Sequence, residues 1–284
     1  MAFYREVDGD IVRDYALERC ELLHIQTDRA CLEVVPTRAF GRVLFLDNQM
    51  QLAERDEYIY HEMLVHPCLS LCQTRRTVCI LGGGDGCAAR EVLRWSDVES
   101  VTVIDWDKDL TDLFRFVLSD INKDSFRNPR VHIENEDIFA LGKQMRSYDC
   151  ILVDLIDLDY EQPEQADLFF AALHLVKQWC VESGSFVFNL GGILPWETAR
   201  IQWALQTARS NLSMSLQVYK VFVPSFAREW CFLIGSNTKE PSSEFPEGLR
   251  YASPELFASA CRWSKPWPLP ELNDHLVPPR TAPQ

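Results

Sequence analysis

The sequence lacks several features that would each mark a class of protein. No apolar run reaches the roughly 18 residues that a membrane-spanning helix needs, and the opening residues MAFYREVDGD are too acidic for a secretory signal peptide. Basic residues are outnumbered, with 28 Lys and Arg against 42 Asp and Glu and a formal net charge of −14. Such a charge repels the phosphates of a nucleic acid. We therefore expect a cytoplasmic protein with neither a membrane nor a nucleic acid as its partner.

Spaced metal-binding and nucleophile motifs are missing as well. The ten cysteines are scattered without a CxxC pair, and several lie in apolar runs such as TVCIL, so we interpret them as reduced core thiols. In the segment HEMLVH, His61 and His66 are five residues apart, whereas the zinc helix motif needs four. No serine lies in a G-x-S-x-G elbow. The sequence predicts no metal site and disfavours an acyl-transfer hydrolase.

The sequence does contain a clear change in predicted secondary structure along the chain. Short strands dominate from residue 21 to residue 54, and a helical stretch follows. Strands then alternate with helices, the strands being predicted at 77–81, 100–105, 130–134, 148–154 and 184–190. Two last strands, LQVYKVFV and EWCFLIGS, have no helix between them and are predicted to be antiparallel. The alternation predicts an α/β fold with a mostly parallel sheet covered on both faces.

A glycine-rich turn follows the first of these strands, in CILGGGDGCAAREVL. Such a turn, here Gly82, Gly83, Gly84 and Gly86, lets the backbone approach a phosphate or a nucleoside. Asp85 in its middle would repel a phosphate, so it suits a positively charged group. The third glycine of a nicotinamide motif is also absent, because its position holds a cysteine.

Acidic residues stand at four successive strand ends. The carboxyl ends of parallel strands meet at one edge of a sheet, where ligands bind. We therefore expect one acidic crevice, although each carboxylate could instead cap a helix. The set comprises Asp85, Asp105, Asp137, Asp154 and Asp157.

Four segments together resemble the spermidine synthase family of aminopropyltransferases. They are GRVLFLDNQMQLAERDEYIYHEML, ILGGGDGCAAREVL, VIDWDKDL and YDCILVDLIDLD, and the likeness runs from about Thr27 to Trp263. The resemblance implies a small N-terminal β-strand domain, 1–55, and a Rossmann-like catalytic domain of the methyltransferase type, 56–284. It also implies transfer of an aminopropyl group from decarboxylated S-adenosylmethionine to an amine such as putrescine, with no cofactor. For such a protein we expect a homodimer or higher homo-oligomer.

The resemblance assigns roles by position. Asp154 would be the catalytic proton acceptor, and Asp85 would face the ammonium of the aminopropyl arm. Asp105 would hold the ribose hydroxyls, and Asp157 would bind the acceptor amine. Asp137 would hold the adenine amino group, and His61 would lie beside the nucleoside. The remaining substrate-binding positions are Tyr60, Ile138 and Pro163, the last matching a proline that lines the nucleoside site.

Departures from the family pattern concentrate on the acceptor side. Leu155 and Ile156 replace two small polar residues, Phe226 replaces a tyrosine, and Ala30 replaces a glutamine. These changes predict a more apolar acceptor pocket, which Trp230 could also line. Two alternatives stay open: an S-adenosylmethionine-dependent methyltransferase, and a catalytically silent relative that acts as a regulatory protein.

Overall fold

The computed structural model describes residues 2–8, 11–155, 162–194, 198–238 and 244–263. Its N-terminal part holds two antiparallel sheets. Strands β1 (Phe3–Asp8) and β2 (Ile11–Ala16) pair with each other, and the second sheet has the order β3 (Leu23–Gln26), β4 (Cys31–Thr37), β5 (Gly41–Leu46) and β6 (Gln49–Ala53). Asp47 and Asn48 turn the β5–β6 hairpin with φ of 48° and 66°. Aspartate and asparagine both tolerate this left-handed region, which a tight two-residue hairpin turn requires.

Helix α1 (Glu57–Ser70) connects the two parts of the chain, and 13 of its 14 residues are buried. It packs against strands of the large sheet and against two other helices. A helix enclosed in this way needs a partner for every polar side chain that it carries. Those partners determine much of the candidate site.

A seven-stranded sheet follows, in the order β12, β13, β11, β10, β7, β8, β9. Its strands in chain order are β7 (Thr77–Gly82), β8 (Ser100–Ile104), β9 (Val131–Glu134), β10 (Tyr148–Asp154), β11 (Cys180–Ile193), β12 (Ser215–Val223) and β13 (Arg228–Ser236). Strands β7 to β11 are parallel, whereas β13 runs antiparallel to both neighbours. The predicted mostly parallel α/β sheet and its antiparallel ending are confirmed.

Helices cover both faces of this sheet. They are α2 (Cys87–Val92), α3 (Lys108–Phe116), α4 (Pro163–Trp179), α5 (Ala199–Asn211) and α6 (Pro254–Ala260). Alternate residues of β7 point to opposite cores: Val78 and Ile80 join the cluster around α1, and Cys79 and Leu81 join the cluster around α4 and α5. Burial on both faces explains why the strand is apolar throughout.

Two details complete the fold. The ten cysteines carry free thiols, seven of them buried. Within the described ranges, no helix has both the length and the apolar character required to cross a bilayer.

Candidate active site

The glycine turn joins β7 to α2 at the carboxyl edge of the sheet. Gly82, Gly83 and Gly86 have φ of 84°, 72° and 75°, a region that favours glycine. A Cβ at Gly82 would lie 2.0 Å from the backbone oxygen of Asp154 on the neighbouring strand. Glycine is therefore required where β7 and β10 come together, and the predicted approach of a ligand to this backbone stays a prediction.

Asp154 ends β10 beside this loop. Its carbonyl oxygen accepts a hydrogen bond from the N–H of Gly83 at 3.2 Å, and its carboxylate accepts one from the hydroxyl of Tyr60. Burial raises the pKa of Asp154 from 3.8 to about 6, with the charge of Asp85 adding to the rise and that of His61 opposing it. A carboxylate with a raised pKa is suited to accept a proton from a substrate.

Asp105 follows β8 and faces the same loop from the other side. Its Oδ1 accepts a hydrogen bond from the N–H of Asp107 at 2.9 Å, and a Cβ at Gly84 would meet its Oδ2 at 2.7 Å. Burial raises the pKa of Asp105 to about 6. Asp107 is the N-cap of α3, so the helix start holds Asp105 against the glycine turn.

The carboxylate of Asp85 faces a side chain of the protein that can carry a positive charge, the imidazole of His61. Its Oδ1 accepts a hydrogen bond from the N–H of Cys87 at 2.7 Å and lies 3.6 Å from Nε2 of His61. Burial alone would raise the pKa of Asp85 and lower that of His61, but their mutual attraction reverses both shifts. Glu57 contacts the other ring nitrogen, Nδ1, at 2.9 Å. His61 is thus held between two carboxylates.

Asp137 and Ile138 follow β9, the parallel neighbour of β8, at the same edge of the sheet. The carboxylate of Asp137 accepts a hydrogen bond from the N–H of Phe139 at 3.0 Å and caps a short 3₁₀ turn, while Ile138 is buried. Asp137 therefore combines the capping role and the strand-end position that the sequence left open for it.

An aromatic wall stands next to Asp154. The ring of Tyr60 lies 6.4 Å from that of Phe226 and 6.2 Å from that of Trp230, measured between centroids, and the last two rings are 4.4 Å apart. Asn189 accepts a hydrogen bond from Nε1 of Trp230 at 2.8 Å and donates one to the carbonyl of Leu155 at 3.1 Å. This side of the crevice is apolar and rigidly held.

Some predicted positions lie outside the described residues. Asp157 and Ile156 fall in the range 156–161, which the structure does not describe. Pro163 is the first residue of α4, but its side chain is likewise outside the description. Ala30 lies in the β3–β4 turn, where its N–H donates to the hydroxyl of Thr27 at 2.9 Å.

Three residues that organise the site were not predicted from the sequence: Glu57, Arg90 and Asn189. Arg90 donates to both carboxylate oxygens of Glu57 at 2.9 and 2.8 Å. A buried arginine and glutamate could have been suspected from the apolar context of each, since buried charges are paired. Their pairing depends on how α1 packs against α2 and cannot be derived from spacing.

Two groups of side chains have donor atoms close enough for a metal ion: Glu57, His61 and Cys87, and His24, Cys31 and Glu33. In the first group, the carboxylate of Glu57 already accepts hydrogen bonds from Arg90 and faces Nδ1 of His61, so we assign Glu57 and His61 an ion-pair role. The second group lies on β3 and β4, apart from the glycine turn. The predicted absence of a metal stays a prediction.

These features define a class: an α/β protein of Rossmann-like fold with a nucleoside-type glycine turn and an acidic crevice. The model of the spermine/spermidine synthase domain matches residues 57–246. A thermospermine synthase of Arabidopsis thaliana is 32% identical over 240 residues, covering 83% of this chain and 70% of that protein. A polyamine aminopropyltransferase of Aeropyrum pernix is 30% identical over 218 residues, with 74% and 67% covered. The chain belongs to the spermine/spermidine synthase family.

Further comparisons agree with this membership. A polyamine aminopropyltransferase of Leptospira interrogans is 34% identical over 216 residues, which cover 73% of this chain but 42% of the relative, so the chain spans less than half of that protein. The crystal structure of a spermidine synthase from Thermotoga maritima matches the fold with a TM-score of 0.79 at 22% identity, covering 93% of this chain and 91% of the other. The prediction of the family and its fold is confirmed, and with it the class of transferases called aminopropyltransferases.

Proposed function

We propose that this protein transfers the aminopropyl group of decarboxylated S-adenosylmethionine to an amine such as putrescine and releases methylthioadenosine. The observation that carries the proposal is the meeting of Asp85, Asp105 and Asp154 around one glycine turn, with a buried proton acceptor among them. A sulfonium donor and an amine acceptor are both cations, and a crevice lined by carboxylates attracts both. A spermidine synthase of the same fold, with a TM-score of 0.81, was crystallised with the transition-state analogue AdoDATO.

The reaction needs little from the protein beyond alignment and charge. The amine nitrogen attacks the carbon next to the sulfonium, the carbon–sulfur bond breaks, and a neutral thioether leaves. Positive charge thus passes from sulfur to nitrogen, and the nitrogen loses a proton to Asp154. An alkylammonium has a pKa near 10 and an ordinary aspartate near 4. With the pKa of Asp154 raised to about 6, that gap narrows to roughly four pKa units, which a desolvated amine narrows further.

The donor would lie along the carboxyl edge of the sheet. In this proposal Asp105 holds the ribose hydroxyls, Asp137 holds the adenine amino group, and Asp85 meets the ammonium of the arm. Ile138 is a further substrate-binding position, and His61 lies beside the nucleoside. Tyr60 supports Asp154 by its hydrogen bond. Asp157 and Pro163 keep the acceptor-binding and nucleoside-binding roles that the resemblance implies.

The acceptor would be held against the aromatic wall. Phe226 and Trp230 offer apolar faces to a chain of methylene groups, while Asp154 accepts the proton at the reacting end. Such a pocket favours a diamine with a methylene spacer, putrescine first and a longer diamine or spermidine second. We also propose that the active protein is a cytoplasmic homo-oligomer.

Mass spectrometry of products from a panel of amines tests the proposal. The protein is incubated with decarboxylated or intact S-adenosylmethionine, and Asp154→Asn serves as the inactive control. Addition of one aminopropyl group to a diamine is expected with the decarboxylated donor only. Methylation by the intact donor would establish the methyltransferase alternative, and binding without any product would favour the silent relative.

Donor selectivity has its own test. Asp85→Asn should weaken binding of the decarboxylated donor at least tenfold, because the arm's ammonium loses its partner. Methylthioadenosine has no ammonium, so its affinity should change much less. Equal losses for the two ligands in a calorimetric titration would contradict the assignment of Asp85.

A further inference from the structure

The two buried histidines of α1 have different protonation forms. At His61, Nδ1 lies 2.8 Å from the backbone oxygen of Glu57 and 2.9 Å from its carboxylate, and Nε2 is 3.6 Å from the carboxylate of Asp85. An imidazole that faces acceptors on both nitrogens carries a proton on each. The carboxylates of Asp85 and Glu57 favour this imidazolium form and hold the pKa of His61 well above its usual value, although burial alone would lower it.

His66 shows the contrasting arrangement. Its Nδ1 accepts a hydrogen bond from Nε1 of Trp95 at 3.0 Å, and its Nε2 lies 3.1 Å from the carboxylate of Glu91. The indole nitrogen can only donate, so Nδ1 of His66 accepts in this bond and carries no proton. Of the two rings, that of His61 is the one with an acceptor beside each nitrogen.

Hydrogen bonds from Arg90 hold the carboxylate of Glu57 beside His61, where its negative charge favours the protonated imidazole. Arg90 binds both of its carboxylate oxygens at 2.9 and 2.8 Å, and also binds Glu91 at 2.7 Å. Glu57, Arg90 and Glu91 are all buried. Burial alone would raise the pKa of Glu57, but His61 and Arg90 together bring it below its usual value. The carboxylate of Glu57 is thus ionised and turned toward His61.

We propose that Glu57 is a positioning residue for the transfer reaction: held by Arg90, it keeps a positive charge on His61 among the carboxylates of the crevice, so that Asp154 is ionised when the amine arrives. This inference rests on the proposed function. The groups that face His61 are Glu57 and Tyr60 from its own helix, Asp85 and Cys87 from the glycine turn and α2, and Asp154 from β10.

The physical reason is the mutual repulsion of the carboxylates. Asp85 and Asp105 each raise the pKa of Asp154, and the charge of His61 lowers it. An opposite charge at close range shifts a carboxyl pKa by about one to three units. Without Glu57, His61 would keep Asp85 but would lose a second partner that raises its pKa, so the ring would give up its second proton at a lower pH. Asp154 would then hold its proton to higher pH.

Glu57→Gln tests the inference, with Glu91→Gln as the matched control. Both changes remove one buried carboxylate from Arg90 and keep its size, but Glu57 alone of the two contacts His61. In Glu57→Gln, the acidic limb of the plot of kcat against pH should move to higher pH by about one unit. Turnover should fall about fivefold near pH 6, where the pKa of Asp154 lies, and recover above pH 8.5. Glu91→Gln should lower the midpoint of unfolding, and it should leave the acidic limb of the kcat profile at the same pH as in the unaltered protein.

Three results would overturn the inference: an unmoved limb in Glu57→Gln, no recovery at high pH, or an equal shift in Glu91→Gln. Nitrogen NMR of the histidine rings gives a readout without turnover. His61 of the unaltered protein should carry two ring protons at pH 7 and His66 one, and a neutral His61 would contradict the inference even if Glu57→Gln failed to fold. If no amine accepts an aminopropyl group, the proposed function fails, and the ring signals still decide where the charge lies.

Discussion

Replacing Asp154 by asparagine is expected to stabilise the protein while it removes activity. Asparagine has nearly the same shape and can still accept the hydrogen bond from Tyr60, but it carries no charge. Burial raises the pKa of Asp154 from 3.8 to about 6, and each pKa unit corresponds to about 1.4 kcal/mol. The ionised carboxylate therefore costs the folded state up to about 3 kcal/mol.

The pH dependence gives the sign of this effect. Below about pH 4 the carboxyl group is protonated in both states, so it makes no difference to the free energy of unfolding. Between about pH 4 and pH 6 the unfolded state ionises first, and the unaltered protein loses stability as pH rises. Above pH 6 the whole cost is present. The gain from Asp154→Asn should thus be complete at pH 8 and absent at pH 4.

Urea unfolding at pH 4.5 and pH 8 measures the gain through the shift in midpoint. Asp14→Asn is the matched control, because Asp14 is exposed and its pKa is lowered by a hydrogen bond from Arg5. That control should not stabilise the protein at either pH. If Asp154→Asn stabilised the protein no more at pH 8 than at pH 4.5, burial of the ionised carboxylate would not destabilise the folded state as we infer.

Three further changes probe the site. Tyr60→Phe removes a hydrogen bond that lowers the pKa of Asp154, so the acidic limb of kcat should move up; an unmoved limb would contradict this role. Glu62 is buried and accepts hydrogen bonds from the N–H groups of residues 250–252 at 2.8 to 2.9 Å. Glu62→Gln should cost about 2–3 kcal/mol in urea unfolding, and an unchanged midpoint would show that these bonds add nothing. Gly82→Ala would bring a Cβ within 2.0 Å of the Asp154 oxygen, so calorimetry should detect no methylthioadenosine binding, and normal affinity would exclude the clash.

Those parts of the fold that rest on local patterns could be predicted from the sequence. Strand β10 begins and ends where the sequence analysis placed it, at 148 and 154, because an apolar run buried on both faces is bounded by polar residues. Strands β1 and β2 had no such signal. Each buries a single residue, Glu6 or Tyr15, and the Tyr15 hydroxyl bonds to the Glu6 carboxylate at 2.6 Å. A hairpin joined by a buried polar contact leaves no hydrophobic periodicity to detect.

The candidate site also has a part that could be predicted from the sequence and a part that could not. Asp85, Asp105 and Asp154 could be predicted because parallel strands bring their ends together. That Asp85 would meet a charged histidine of the protein could not, since His61 depends on Glu57, and Glu57 on an arginine 33 residues away in the chain. Such contacts depend on the packing of helices, which spacing within a segment does not reveal.

The bonds from Glu62 to residues 250–252 also have a consequence for the order of events during synthesis. Glu62 and Ala252 are 190 residues apart in the chain, and ribosomes add about 5–20 residues per second, so roughly 10–40 seconds separate their appearance. Through that interval α1, with its apolar side chains and its unsatisfied carboxylate, has no C-terminal segment to pack against. Tyr60 and His61 precede Glu62 directly in the helix. The helix that carries Tyr60 and His61 therefore completes its packing only after residue 252 has been synthesised.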